Sequence, residues 1–456
     1  MLPCRDNSIA VLLKVAMLCG LASLGCSSNR DASNGDSALV GEAKIGEPLE
    51  LFTTVPIGAS FDRLPRISHL VSTDFDQDGQ PDVIVCDCTK NTVSILRRST
   101  TTEAESSTEP EYTEQVILDG IVAPARVEVV DFDADGDQDL FVAVLGKLNP
   151  SNDPIGSLIA LENIAGDGGG DGDRDVASDE KTFSFRRHDV LVDVARVSDV
   201  RAGDLDGDGD RDLVVTQFGY YDGGLQWLEN QGDWQFAPHA LCDLAGGIHG
   251  EIADMNGDGF ADIVLLLSQE IEELRIFYGD GKGQFEQSTA WSANNPDFGS
   301  SGCWTVDLDL DGDMDVLYAN GDAFDYSPPR PWPWHGLQWL ENVGDRKFKY
   351  HRLVELGGAV NMHAADYDQD GDLDIFATST FNDWSSPESS SLIVLENTDN
   401  MQFVSHRLAN SPTHIQALDV GDFDSDGSID LITGGMHVFE PNDRVERVLL
   451  WQGISR

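Results

Sequence analysis

The stretch Asp204–Val215, DLDGDGDRDLVV, places five aspartates within nine residues and then turns apolar. Carboxylates packed this closely repel one another. Such a stretch is a solvated acidic loop, a catalytic cluster or a cage for a cation. Its relatives decide between these. DFDQDGQPD begins at Asp74, DFDADGDQD at Asp131, DMNGDGFAD at Asp254, DLDLDGDMD at Asp307, DYDQDGDLD at Asp366 and DFDSDGSID at Asp422. The chain therefore carries D-x-[DN]-x-D-G-x-x-D seven times, at intervals of 50 to 73 residues. The longest interval holds the Gly/Asp-rich segment Gly166–Glu180, which reads as a surface insertion.

The flanks repeat as well. Position 2 is always apolar: Phe75, Phe132, Leu205, Met255, Leu308, Tyr367 and Phe423. A loop surrounded by water has no need of this, so one side faces a core. The last Asp leads into a β-rich tail, and a second strand follows, as in GLQWLENQGDWQF from Gly224 and GLQWLENVGDRKF from Gly336. A turn and a further strand complete the unit. Seven units of four short strands predict an all-β fold, a seven-bladed β-propeller. The last unit stops after its third strand, RVLLWQGISR. The orphan piece PLELFTTVPI (Pro48–Ile57) is expected to supply the missing strand and close the ring, which removes open edges.

Asp at positions 1, 3, 5 and 9 supplies hard oxygen ligands, and Gly at position 6 permits a sharp turn. That set suits Ca²⁺ better than Mg²⁺, with its strict octahedron, or Zn²⁺, which prefers His and Cys. An EF-hand would need Glu at position 12. Here that position holds Val85, Val142, Val215, Leu265, Tyr318, Ala377 and Thr433, so the ninth Asp is expected to close the cage.

The acidic loop with its four-strand unit resembles the FG-GAP/VCBS repeat of integrin α-subunit propellers and many bacterial secreted proteins, over roughly residues 48–453. The resemblance implies up to one structural calcium per loop, at the turn between the first two strands of each blade. The implied ligands are Asp74, Asp76, Asp78 and Asp82; Asp131, Asp133, Asp135 and Asp139; Asp204, Asp206, Asp208 and Asp212; Asp254, Asn256, Asp258 and Asp262; Asp307, Asp309, Asp311 and Asp315; Asp366, Asp368, Asp370 and Asp374; and Asp422, Asp424, Asp426 and Asp430. Asn256 brings one charge fewer, so the fourth loop is expected to bind more weakly. The family includes adhesion and binding proteins, and similar propellers occur in some polysaccharide lyases, so the fold does not fix the activity.

Residues 1–25 read as a signal peptide. Arg5 and Lys14 precede an apolar run, Val15–Leu24, that is too short to span a bilayer. Gly25-Cys26 after that run resembles a bacterial lipobox, although Ser23 stands where such boxes usually have Leu. Cys26 is the expected lipidation site, followed by a polar linker over 26–47 and the propeller over 48–456. The expected location is extracytoplasmic, lipid-anchored in a bacterial cell envelope, or otherwise secreted; contact with a membrane is expected only through that anchor. Seven cysteines are present. Cys4, Cys19 and Cys26 fall in the targeting segment, leaving Cys86, Cys88, Cys242 and Cys303 as buried or paired structural residues. With 81 Asp and Glu against 29 Lys and Arg, the formal net charge of -52 excludes nucleic acid as a partner.

If the acidic loops occupy one face, the loops joining second and third strands lie on the opposite face with the blade connections. These carry the unusual residues: Tyr220, Tyr221, His249, Trp332, Trp334, His335, His363, Trp384 and His414. Exposed aromatics beside polar groups suit stacking on sugar rings or anchoring a protein partner. The competing reading is that they pack the loops and fill the channel. No HExxH, GxSxG or P-loop is present. The expected function is a calcium-stabilised binding or adhesion module for glycan or protein. The alternative is a polysaccharide-lyase-like enzyme using the same face, with His249 as a candidate base.

Overall fold

The computed structural model describes residues 41–98, 112–149, 151–164, 183–219, 221–269, 271–324, 326, 328–398 and 400–454. The targeting segment with Cys26, the insertion Gly166–Glu180 and Tyr220 lie outside them. Among the described residues all regular structure is β, in seven sheets of consecutive antiparallel strands. The innermost strands are Ile67–Thr73, Pro124–Val130, Val197–Gly203, Gly247–Ala253, Ser300–Val306, Ala359–Ala365 and Ile415–Gly421. They define blades one to seven in chain order, and each touches the next in a closed circuit. The chain is a seven-bladed β-propeller. Phe52–Pro56 pairs antiparallel with Val448–Gly453, so the N-terminal piece completes blade seven as expected.

The sequence pattern explains the layering. Each second strand begins at the ninth Asp of its loop, and all six of its residues are buried in every blade, as in Asp212–Gln217 and Asp262–Leu267. Packed on both sides by neighbouring blades, such a strand reads as continuous apolar sequence rather than alternation. Seven apolar clusters form the core, one at each interface between adjacent blades. The position-2 residue of each acidic loop packs into the interface with the following blade, Phe75 against blade two and Phe423 against blade one. That is why the position is apolar in all seven repeats. Cys86, Cys88, Cys242 and Cys303 are free thiols, and all but Cys242 are fully buried.

The segment expected as linker begins its ordered course before Pro48. Ala43 N donates to Leu353 O of blade five at 2.6 Å. Lys44–Ile45 then pairs parallel with Val404 and Ser405 as a fifth strand on blade six. Gly46 lies directly against the His406 ring, where a Cβ would come within 2.4 Å. Residues 43–56 thus strap the outer edges of three consecutive blades. Gly46→Val is expected to detach the strap and lower the melting temperature by a few degrees, measured by scanning fluorimetry.

Candidate functional site

The acidic loops share one backbone geometry. Position 4 is left-handed in all seven, including Gln77, Ala134, Leu310, Gln369 and Ser425, and so is the position-6 glycine. Gly209, at φ 95°, occupies a region that a side chain adopts only under strain. The two left-handed residues curl the loop so that N–H groups point inward. Asp307 Oδ1 accepts Asp311 N and Oδ2 accepts Gly312 N, both at 3.0 Å, and Asp74, Asp254, Asp366 and Asp422 receive the same pair.

The oxygens converge. One carboxylate oxygen from each of Asp74, Asp76 and Asp78 lies within 4.8 Å of the others, as in Asp204/Asp206/Asp208 and Asp307/Asp309/Asp311. In blades two and six the close trio is Asp131/Asp133/Asp139 and Asp366/Asp368/Asp374. Asp131 Oδ1, Asp309 Oδ1 and Asp368 Oδ1 are buried without a hydrogen-bond donor among the described residues. Clustered, partly orphaned anionic oxygens fit a hard divalent cation. Two loops hold features the motif does not show. Arg97 stands 3.7 Å from Asp76, and Asn256 Nδ2 donates to Asp262 at 3.3 Å.

The ninth Asp also has a role within the fold itself. In blades two to seven one oxygen accepts the N–H of position 2 and the other accepts an N–H at the end of the third strand. Asp315 Oδ2 takes Leu308 N at 3.1 Å and Oδ1 takes Asn342 N at 2.7 Å. Asp139, Asp212, Asp262, Asp374 and Asp430 repeat the pattern. This side chain staples the loop to the sheet. Burial pushes its carboxyl up, to about 7 in Asp139, Asp315 and Asp374 and to about 6 in Asp212, Asp262 and Asp430. Asp315→Asn turns an N–H toward an N–H. The expected loss is about 1–3 kcal/mol of stability in urea unfolding.

A recurrent pair went unread in the sequence. Glu162, Glu229, Glu341 and Glu396 on third strands face His188, His239, His351 and His406 on fourth strands, at 2.6 to 3.0 Å. The signal was present: each histidine follows the strand-opening Phe185, Phe236, Phe348 or Phe403 by three residues. Trp227 and Trp339 stack on His239 and His351.

On the opposite face the candidates separate. The third and fifth residues of the inner strands cap the N–H groups of the next blade. His69 Nδ1 accepts Val127 N at 3.4 Å, Glu128 accepts Ala202 N at 3.2 Å, and Asp199 accepts Gly250 N at 3.0 Å. His249 Nδ1 accepts Cys303 N at 3.1 Å, and Asp419 accepts Ser72 N at 2.6 Å. His249 Nε2 lies against Arg126 and faces Asp199 at 3.2 Å, so both ring nitrogens are engaged within the channel. Burial holds the imidazole well below its usual range, and Arg126 and Arg201 lower it further. His363 lies in the same channel, its ring 4.9 Å from Trp304. These residues order the channel, and above them an axial cavity of about 220 Å³ opens to the face.

His335 and His414 are buried rather than presented to a ligand. His335 Nδ1 accepts Gly358 N at 3.3 Å, and His414 underlies Trp384 with ring centroids 5.3 Å apart. Burial lowers them to about 4 and about 3. Trp332 is packed by Arg330 at 4.3 Å and by Trp334 at 4.9 Å. Trp334 Nε1 ties that loop to Asp297 O at 2.8 Å. Tyr221 is 80% exposed on a separate loop. Trp384 alone among the described tryptophans of this set lines an open groove, formed with Pro331, Asp383 and Glu440.

The FG-GAP-like repeat profile matches residues 74–142, 204–265 and 254–318. No match was found among curated proteins. Among solved structures, the chain is similar to BBS1N in its crystal structure in complex with ARL6DN, soaked with lead, at 11% identity and TM-score 0.50, over 90% of this chain and 98% of that one. The mercury-soaked form matches at 10% identity and TM-score 0.50, over 89% and 98%. Rhamnogalacturonan lyase YesW matches at 11% identity and TM-score 0.41, over 87% and 74%. At such identities the likeness concerns the fold alone. With its repeated acidic loops and seven four-stranded blades, the chain is a β-propeller that carries FG-GAP-like repeats over the matched residues.

Proposed function

We propose that this propeller is an extracytoplasmic, lipid-anchored binding module, stiffened by calcium in its acidic loops, that presents the opposite face to a glycan or protein. The observation that carries the reading is a division of labour between the faces. One is repeated seven times and committed to oxygen clusters. The other carries long, dissimilar loops, such as 321–335, 380–391 and 436–447, between second and third strands. A rigid scaffold bearing variable loops is the usual arrangement for recognition. Calcium would supply positive charge to each oxygen cluster. Positions 1, 3, 5 and 9 would hold it, and the position-2 side chain ties each loop to the core.

The lyase reading gains nothing from the channel. Both ring nitrogens of His249 are engaged by the protein, Nδ1 by Cys303 N and Nε2 by Arg126 and Asp199, which leaves neither facing a substrate proton. The binding reading is tested on glycan and protein arrays probed with the calcium-loaded protein; a blank on both overturns it. The anchor has its own test. Cys26→Ser is expected to shift the protein from the membrane fraction to the soluble extracellular fraction with folding unchanged. Equal membrane recovery of both forms overturns lipidation at this residue.

A further inference from the structure

We infer that the groove between the long loops of blades five, six and seven is a binding site for an uncharged oligosaccharide; this rests on the reading of that face as the ligand face. The groove has a volume of about 560 Å³. That falls in the range of small-molecule sites, about 300–1,000 Å³. Its apolar surfaces are flat: Pro331, Trp384 and Pro441. Its polar groups are the two carboxylates of Asp383 and Glu440, the Asn382 amide, the Ser385 hydroxyl and the Arg330 guanidinium.

The site is built rather than incidental. Phe324, Phe381 and Phe439, one from each loop, meet behind it at 4.8 to 6.1 Å between ring centroids. Arg444 donates to Trp384 O at 3.0 Å and to Asn410 O at 2.8 Å, tying blade seven to blade six. Asp383 Oδ1 accepts Ser385 N at 3.2 Å and Ser385 Oγ at 2.5 Å, which fixes the carboxylate in one orientation. Asn382 Nδ2 donates to Ser390 O at 3.1 Å. Gly357 lies where a Cβ would meet Pro331 at 2.6 Å and Asn382 at 2.8 Å, so the two walls close over a position without a side chain.

This chemistry selects the ligand. A pyranose offers a flat C–H face to the indole and proline rings, and hydroxyl donors at its rim to the two carboxylates. A proline-rich peptide also fits flat apolar walls but brings few donors, because proline has no N–H. A polyanionic chain is disfavoured, because Asp383 and Glu440 outnumber Arg330 in the groove and the chain carries a net charge of -52. Trp384 packs on His414 with ring centroids 5.3 Å apart, which holds the indole at the groove wall.

The test is calorimetric titration of the calcium-loaded protein with hexasaccharides of β-1,4-glucan, β-1,4-xylan, β-1,3-glucan and α-1,4-glucan, beside a galacturonate hexamer. Saturable binding of at least one neutral hexasaccharide is expected. Trp384→Ala should weaken it about tenfold or more, Asp383→Asn and Glu440→Gln severalfold, and Tyr221→Ala not at all. Circular dichroism and melting of each variant establish that it is folded, and the two conservative variants carry the test if Trp384→Ala is not. Neutral binding that ignores the three groove variants overturns the groove while leaving the face reading intact. So does preference for the galacturonate hexamer. Failure of every neutral hexasaccharide overturns the groove, and blank glycan and protein arrays would overturn the face reading separately.

Discussion

Removing divalent cations with EDTA is expected to lower the melting temperature of this propeller by about 10 °C or more, and calcium to restore it. A cation held at about 100 times its dissociation constant stabilises the fold by about 2.7 kcal/mol per site. Several such sites move the transition of a single large domain by that amount. The expected pH dependence has a definite sign. The ninth aspartates titrate at about 6 to about 7 in the folded, cation-free protein, above the ordinary carboxyl value near 3.9. A raised folded pKa contributes stability that is present below about pH 4 and lost as the pH rises through about 6 to 7. In EDTA, therefore, the protein melts lower at pH 8 than at pH 5. In calcium that loss disappears, because the ion stabilises the ionised form. Identical melting curves with and without EDTA at pH 8 would remove the cation from this account.

Arg447→Met costs about 3–5 kcal/mol, the usual penalty for breaking a buried ion pair by removing one partner. Arg447 sits at the seam where blade seven meets blade one. Its Nε lies 3.1 Å from Asp87, and its two terminal nitrogens lie 2.9 and 2.8 Å from the Glu114 oxygens. Arg447 and Asp87 are both about 2% exposed. Glu114 also accepts Ala59 N at 2.6 Å, so one carboxylate holds blade one, the arginine and the incoming N-terminal chain. Without the guanidinium the buried Asp87 keeps only backbone N–H partners, and Glu114 keeps Ala59 N and Lys90 at 3.9 Å. Urea unfolding of the variant should start with loss of the seam. Glu114→Gln, which keeps the shape and removes one charge, should cost less. A melting curve equal to that of the parent protein would mean that the closing strand alone holds the ring.

The acidic motif was legible because everything it needs lies within nine residues. So was the count of blades, since one unit per repeat is enough to bury each second strand between its neighbours. The closing strand was legible by elimination: Phe52–Pro56 has no repeat of its own, and the last repeat lacks a strand. The strap before it was not, because Lys44–Ile45 gains its order from an edge of blade six some 360 residues away. The aromatic candidates divided for a similar reason. Trp332 and Trp384 look alike in the sequence. One is packed against Arg330 and Trp334, and the other is left facing a groove.

The sequence by itself determined the repeat, the all-β propeller and the oxygen-rich loops, since each follows from residue type and spacing within one unit. Only the tertiary structure decided what the inner histidines and acids do. An inner strand has one edge unpaired in its own sheet, and the groups that cap its N–H groups come from the preceding blade. His69 serves Val127, and His249 serves Cys303. That pairing depends on how the ring brings neighbouring blades together, which no spacing along the chain records.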